Sequence, residues 1–182
     1  MPAVVLYTLV MAIKEARLEV YQFHPFVILT AVVLAILIQV SVPRYLPFVP
    51  FLSSLDLALL IVIYFGFSRR NPATGLLLGL AVGVLQDALS VHPIGLFGMA
   101  KTIVGYGASS LSSRIDTDPH PARLLLVFGF YHVHHFAYAL IQRLLLEQPA
   151  ELIGLPVLEG ALVNSIVGVL LFVLLDRFRQ ST

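Results

Sequence analysis

The stretch Asn71–Ser113 reads NPATGLLLGLAVGVLQDALSVHPIGLFGMAKTIVGYGASSLSS, and it decides the fold of this chain. It consists of two apolar runs joined by a short connection that contains a proline. In the first run Gly75, Gly79 and Gly83 are four residues apart, and the next step of four reaches Asp87. At helical pitch these four residues share one face of a helix.

The second run carries a matching face. Gly98, Lys101, Gly105 and Ser109 follow one another at three or four residues, so they also lie on one side of a helix. The short connection makes the two helices antiparallel. Because an unpaired charge inside a membrane costs at least a few kcal/mol, we predict that Lys101 pairs with Asp87 on the facing helix.

The composition is typical of an integral membrane protein. Of 182 residues, 59% are hydrophobic and 12% are charged, whereas a soluble domain is about half apolar and a quarter charged. With about 20 residues per span, the length allows about five or six spans and leaves no room for a separate soluble domain. The net charge of +1 gives no indication of nucleic-acid binding, and the lack of cysteine excludes disulfides and thiolate sites.

We therefore predict an all-α polytopic membrane protein in which residues 1–182 form one membrane domain. The six predicted transmembrane helices are residues 25–42, 51–67, 72–91, 94–113, 122–146 and 155–178. The apolar part of residues 1–23 is too short to cross before charged residues begin, which favours a helix lying at the membrane interface. A short span with a charged end is the alternative.

The basic residues indicate the orientation. With six spans and Lys101 set aside as lying within one of them, eight basic residues fall on one side, and only Arg44 and Arg143 fall on the other. The eight are Lys14, Arg17, Arg69, Arg70, Arg114, Arg123, Arg177 and Arg179. Since lysine and arginine accumulate on the cytoplasmic side of membrane proteins, both termini are predicted to be cytoplasmic.

The same topology places the charged residues embedded in the spans in the outer half of the membrane. They would form either an outward-facing polar cavity or a set of buried pairs that fixes the helix packing. Besides Asp87 and Lys101, this predicted outer-half cluster contains Asp56, Gln142, Arg143 and Glu159.

Histidines on the fifth span offer a weaker alternative. His132 and His135 share a face and are spaced so that they could bind one metal ion, while His134 points elsewhere. A hydrogen-bonded, neutral pair is the simpler interpretation. An intramembrane enzyme built on these two histidines and Glu159 is disfavoured, because Glu159 lies at a different depth.

The connection between the two runs carries a recognisable motif. A glycine-rich helix, then D-x-x-S, then P-x-G-L resembles the signature of the MreD family of rod-shape-determining membrane proteins. His92 departs from it, since a small residue is common there. The matching residues are Asp87, Ser90, Pro93, Gly95 and Leu96.

The resemblance implies a non-enzymatic subunit of the bacterial elongation complex in the inner membrane, without a cofactor. Such proteins are thought to bind MreC and, through it, the cell-wall synthase RodA, its transpeptidase partner and the actin-like MreB. The implied fold is similar to the substrate-binding S-components of energy-coupling-factor transporters. A small-molecule carrier subunit of a transporter is therefore the alternative function.

The resemblance also suggests roles for the motif residues. Asp87 would pair with Lys101 or accept hydrogen bonds from the turn, and Ser90 would bond a freed carbonyl at the helix end. Pro93 would stop the third helix, and Gly95 would permit a close approach at the start of the fourth. We expect the transmembrane helix of MreC to bind along the small-residue groove. That groove is formed by Gly75, Gly79, Gly83, Gly98 and Gly105.

Overall fold

A computed structural model describes most of the chain. The described residues are 23–45, 54–90, 93–112, 114–115, 119–150, 152 and 154–179, with the side chains of 42–45 excluded. The predicted interfacial helix lies almost entirely outside these ranges, as do residues 51–53 of the predicted second span.

The described part of the chain is all helical, with six helices in sequence order. They are α1 (Pro25–Tyr45), α2 (Leu57–Arg69), α3 (Pro72–Leu89), α4 (Leu96–Leu111), α5 (His120–Leu146) and α6 (Leu155–Asp176). Each helix overlaps one of the six predicted spans.

Local sequence explains where α2 and α3 begin and end. Asp56 caps α2, since its carboxylate accepts a hydrogen bond from the Leu59 amide at 2.8 Å. Arg70 adopts a left-handed conformation that ends α2. Asn71 then caps α3 by accepting hydrogen bonds from two amides of its first turn, and Pro72 occupies the first helical position.

Helix α2 is the centre of the bundle. Every residue from Ala58 to Ser68 is buried, and α2 packs against all five other described helices. An apolar helix with no polar face is stable only when it is covered all round. The other helices surround it, and most of them turn large apolar side chains outward.

Three of the described helices are both long and apolar enough to cross a membrane: α3, α5 and α6. Two shorter apolar segments, Pro25–Ser41 and Leu57–Arg69, belong to α1 and α2. The six-span topology and the likeness to S-components therefore stay predictions.

Candidate functional site

The glycine faces of α3 and α4 pack directly against each other, and this is the most extensive helix pairing in the described structure. A Cβ atom added at Gly79 would overlap the carbonyl oxygen of Lys101. One at Gly83 would lie 2.6 Å from Gly98 Cα, and one at Gly105 would meet the backbone of Gly75. The small residues thus let two backbones approach within one chain.

This packing corrects one prediction. The groove of Gly75, Gly79 and Gly83 was expected to bind the MreC helix, although the spacing alone left open whether the opposing helix belongs to this chain or to another. Helix α4 of the same chain fills it. No room is left there for a second helix. The small-residue groove is therefore an internal hairpin contact.

Asp87 holds the start of α4. Its carboxylate accepts hydrogen bonds from the backbone amides of Gly95 at 2.9 Å, Phe97 at 3.2 Å and Gly98 at 3.0 Å. The residue at the helix cap itself, Gly95, has no side chain for this purpose. A carboxylate at the positive end of a helix dipole is favourable, so Asp87 caps α4 from the neighbouring helix.

The other motif residues shape the connection. Ser90 donates its hydroxyl hydrogen bond to the carbonyl of Gln86, one turn earlier in α3. Helix α3 ends at Leu89, ahead of Pro93. Gly95 has φ of 110°, and an added Cβ would meet nothing within 4 Å. Glycine is needed there for its backbone conformation, not for the close approach we expected.

Lys101 pairs with Asp56 and not with Asp87, so that prediction is wrong. The ammonium group is fully buried and contacts one oxygen of the Asp56 carboxylate. His134 Nε2 lies 3.4 Å from the same oxygen, and the Phe97 ring centroid is 5.2 Å from Lys101 Nζ. The lysine reaches Asp56 on α2, while the carboxylate of Asp87 is engaged by three amides.

Asn164 extends this arrangement to α6. Its side-chain oxygen accepts a hydrogen bond from the Asp56 amide at 2.8 Å. Its side-chain nitrogen donates to the carbonyls of Ser54 at 2.7 Å and Gly160 at 2.8 Å. We call Asp56, Lys101, His134 and Asn164 the Asp56 network, and it joins α4, α5 and α6 to the start of α2.

The Asp56 network differs from the predicted outer-half cluster. Gln142 donates to Gln148 at 3.1 Å, and Arg143 donates to the carbonyl of Ala150 at 2.7 Å. Arg143 and Glu159 are exposed. Of the six predicted members only Asp56 and Lys101 lie in the network, so the predicted grouping is wrong for Asp87, Gln142, Arg143 and Glu159.

Two members of the network, His134 and Asn164, were not among the predicted site residues. The helical wheel set His134 apart from His132 and His135, which was itself a sign that it faces another neighbour. His132 Nδ1 instead lies 2.8 Å from the carbonyl of Phe128, and the His135 ring is parallel to that of Tyr131. In the described residues no three metal-ligating side chains of His, Cys, Asp or Glu come together.

A second polar group lies at the other end of α2. Asp176 of α6 is 2.6 Å from the guanidinium of Arg123 and 2.7 Å from that of Arg179. It also accepts a hydrogen bond from the Tyr64 hydroxyl at 2.8 Å. We call these four residues the Asp176 cluster. The cluster joins α2, α5 and α6. The sequence analysis used Arg123 and Arg179 only to predict the orientation and did not predict that they pair with Asp176.

An apolar cleft separates α1 from α6. In the described residues the backbone of α1 packs close to α2 and α3 but not to α6. The opening has a volume of about 430 Å³ and is floored by Leu57 and Ile61 of α2. Its walls include Thr30, Ala31 and Leu34 of α1.

Comparison with known proteins gives one match. The sequence model of the family described as rod shape-determining protein MreD matches residues 20–181, nearly the whole chain. No curated protein and no solved structure matches the chain significantly. The matched range includes all six described helices.

Proposed function

The chain belongs to the MreD family of rod shape-determining proteins, and from that premise we propose that it is a non-catalytic subunit of the bacterial elongation complex. The family match over residues 20–181 is the observation that carries this proposal. In this role the chain supports peptidoglycan synthesis by positioning other proteins in the inner membrane.

The proposed topology has six spans with both termini in the cytoplasm. Helices α3, α5 and α6 meet the length and hydropathy of a span. If α1, α2 and α4 also cross the membrane, the number of spans is even, and both termini lie on the same side. The uneven distribution of lysine and arginine supports this orientation. The Asp56 network then lies toward the periplasmic side, and the Asp176 cluster toward the cytoplasm.

We further propose that the transmembrane helix of MreC binds in the cleft between α1 and α6. The cleft is lined by apolar side chains and one threonine, with no charged residue. Membrane helices associate through close packing of small residues, and Thr30, Ala31 and Ala35 provide such a surface on α1. Because no backbone contact joins α1 and α6 in the described residues, a partner helix could pack between them. RodA, its transpeptidase partner and MreB would then be reached through MreC.

Cysteine cross-linking tests this cleft directly, because the natural chain contains no cysteine. Leu34→Cys places a thiol on the wall of the cleft, where the native side chain is 52% exposed. Ile166→Cys is the matched control on α6, 60% exposed and outside the cleft lining. We expect Leu34→Cys to cross-link to single cysteines scanned along the MreC helix at every third or fourth position. Cross-linking through Ile166→Cys instead would contradict the proposal.

Cell shape gives the functional readout. Ala31→Trp fills the cleft and should abolish co-purification with MreC and the rod form of the cells. Ala81→Trp makes the same change on the exposed face of α3 and should preserve both. Membrane levels of the two variants must be equal for the comparison to hold.

A carrier of small polar molecules is less well supported. Such a protein needs polar groups that face an open pocket, whereas the buried charges of Asp56 and Lys101 engage each other. The described cleft between α1 and α6 is apolar.

A further inference from the structure

A second groove lies on the other side of the bundle, between α4 and α5. Its volume is about 650 Å³. The walls are apolar for most of their length, with Ile103 and Gly107 on α4 and Gly129 and Val133 on α5. At one end the lining includes Arg114, which is exposed. The groove is thus an apolar channel that ends at a cation.

The dimensions of this groove match one leaflet of a bilayer. From Ile103 to Arg114 the chain advances eleven residues, which is about 16 Å along a helix. Half of the hydrocarbon core is about 15 Å thick. The turn after α4 continues the helical path, because the amides of Arg114 and Ile115 both bond to the Leu111 carbonyl. An acyl chain lying in the groove would therefore place its headgroup at the level of Arg114.

Polar side chains also lie along the groove. Tyr106, Ser110 and Arg114 line the groove at steps of four residues, so they share one side of α4 and its continuation. The remaining surface is open: a Cβ atom at Gly129 would meet nothing within 4 Å. The nearby Arg123 is buried and paired with Asp176, which leaves Arg114 as the arginine that lines the groove.

We propose that this groove is a binding site for one anionic phospholipid. One of its two acyl chains would lie between α4 and α5, and its phosphate would accept hydrogen bonds from the Arg114 guanidinium. The charge of Arg114 argues for a lipid over a partner helix, because the apolar surface of such a helix would gain nothing from the cation. In the proposed topology this is the cytoplasmic leaflet, where basic residues attract anionic headgroups.

Native mass spectrometry of the purified full chain tests the site. The probes are phosphatidylglycerol and phosphatidylcholine with identical acyl chains, added in turn to protein stripped of lipid. We expect one phosphatidylglycerol to be retained in preference to phosphatidylcholine. Arg114→Gln should reduce that preference roughly five-fold. Arg177→Gln neutralises another exposed arginine at the same end of the bundle and should leave the preference unchanged.

A second variant separates the acyl chain from the headgroup. Gly129→Leu adds a larger side chain to the groove, at a position where an added Cβ atom meets nothing within 4 Å, and should lower the retention of both lipids. Ala81→Leu on the exposed face of α3 should lower neither. Equal retention of the two lipids by the natural chain, or an equal loss from Arg114→Gln and Arg177→Gln, would overturn the proposal. Cross-linking of Gly129→Cys to another protein in native membranes would also overturn it. Because the purified chain is tested without MreC, failure here is independent of the proposed cleft.

Discussion

At the scale of single residues, the buried ion pair of Lys101 and Asp56 should have the largest effect on the stability of the bundle. Both side chains are almost completely removed from solvent, and each alone would be costly at that depth. Asp56 has a second task, because it also caps α2. The energetic value of the pair therefore depends on keeping both charges, or on losing both.

A double-substitution cycle measures this dependence. Lys101→Met leaves the carboxylate buried without its cation, and we expect the free energy of unfolding to fall by about 3–5 kcal/mol. Adding Asp56→Asn removes the second charge and retains an oxygen that can accept from the Leu59 amide, so most of the loss should be recovered. Thermal unfolding of the purified single and double variants in detergent provides the measurement. Strictly additive losses would show that the two groups do not interact.

The sequence indicated that Lys101 needed a carboxylate but gave the wrong one. Asp87 is nearer along the chain and lies on the adjacent helix of the hairpin. Its carboxylate accepts hydrogen bonds from three amides at the start of α4. These amides need an acceptor from another residue because Gly95, at the cap position, has no side chain. Asp56, read as part of an apolar span, precedes the first turn of α2. A single capping residue within an apolar stretch hardly changes the mean hydropathy of that stretch, so the hydropathy does not reveal the cap.

At the scale of helices, the hairpin of α3 and α4 shows what the glycine ladder is for. Its residues were predicted to share a face because four-residue steps follow the helical pitch, and they do line one contact surface. The identity of the opposing helix was beyond the sequence, since any smooth helix would satisfy the same spacing. Within the described residues the partner is α4, held close by the short connection.

Substitution of a single glycine distinguishes an internal contact from a surface for another protein. Gly79→Ala would drive a methyl group into the backbone at Lys101, so the purified chain should lose about 1–3 kcal/mol of stability without any partner present. Gly129→Ala is the matched control in α5. Its methyl group meets nothing, and the change should be neutral or stabilising by up to about 1 kcal/mol. Equal melting temperatures for the two variants would contradict the internal packing.

At the scale of the whole molecule, a short central helix is fixed at both ends by polar groups. The Asp56 network surrounds the start of α2, and Tyr64 brings α2 into the Asp176 cluster. In the described residues each helix overlaps one predicted apolar run, because each run is bounded by proline or charge. Hydropathy did not predict that α2 would be the buried axis, because an apolar residue reads the same whether it faces lipid or protein.

The path of the chain through the membrane can be tested on α5 alone. This helix has 27 residues and is about 40 Å long, more than the roughly 30 Å of hydrocarbon it would cross. Its two ends should therefore be accessible from opposite sides.

His120 and Gln148 lie at or just beyond these ends and are exposed, and the chain has no other thiol to interfere. With cytoplasmic termini, a membrane-impermeant maleimide should label Gln148→Cys in intact spheroplasts. It should label His120→Cys only after permeabilisation, because that end lies on the side of Arg114 and the paired Arg123. The reverse pattern would show the opposite orientation, with the Asp56 network on the cytoplasmic side. Labelling of both positions in intact spheroplasts would show that α5 does not cross the membrane.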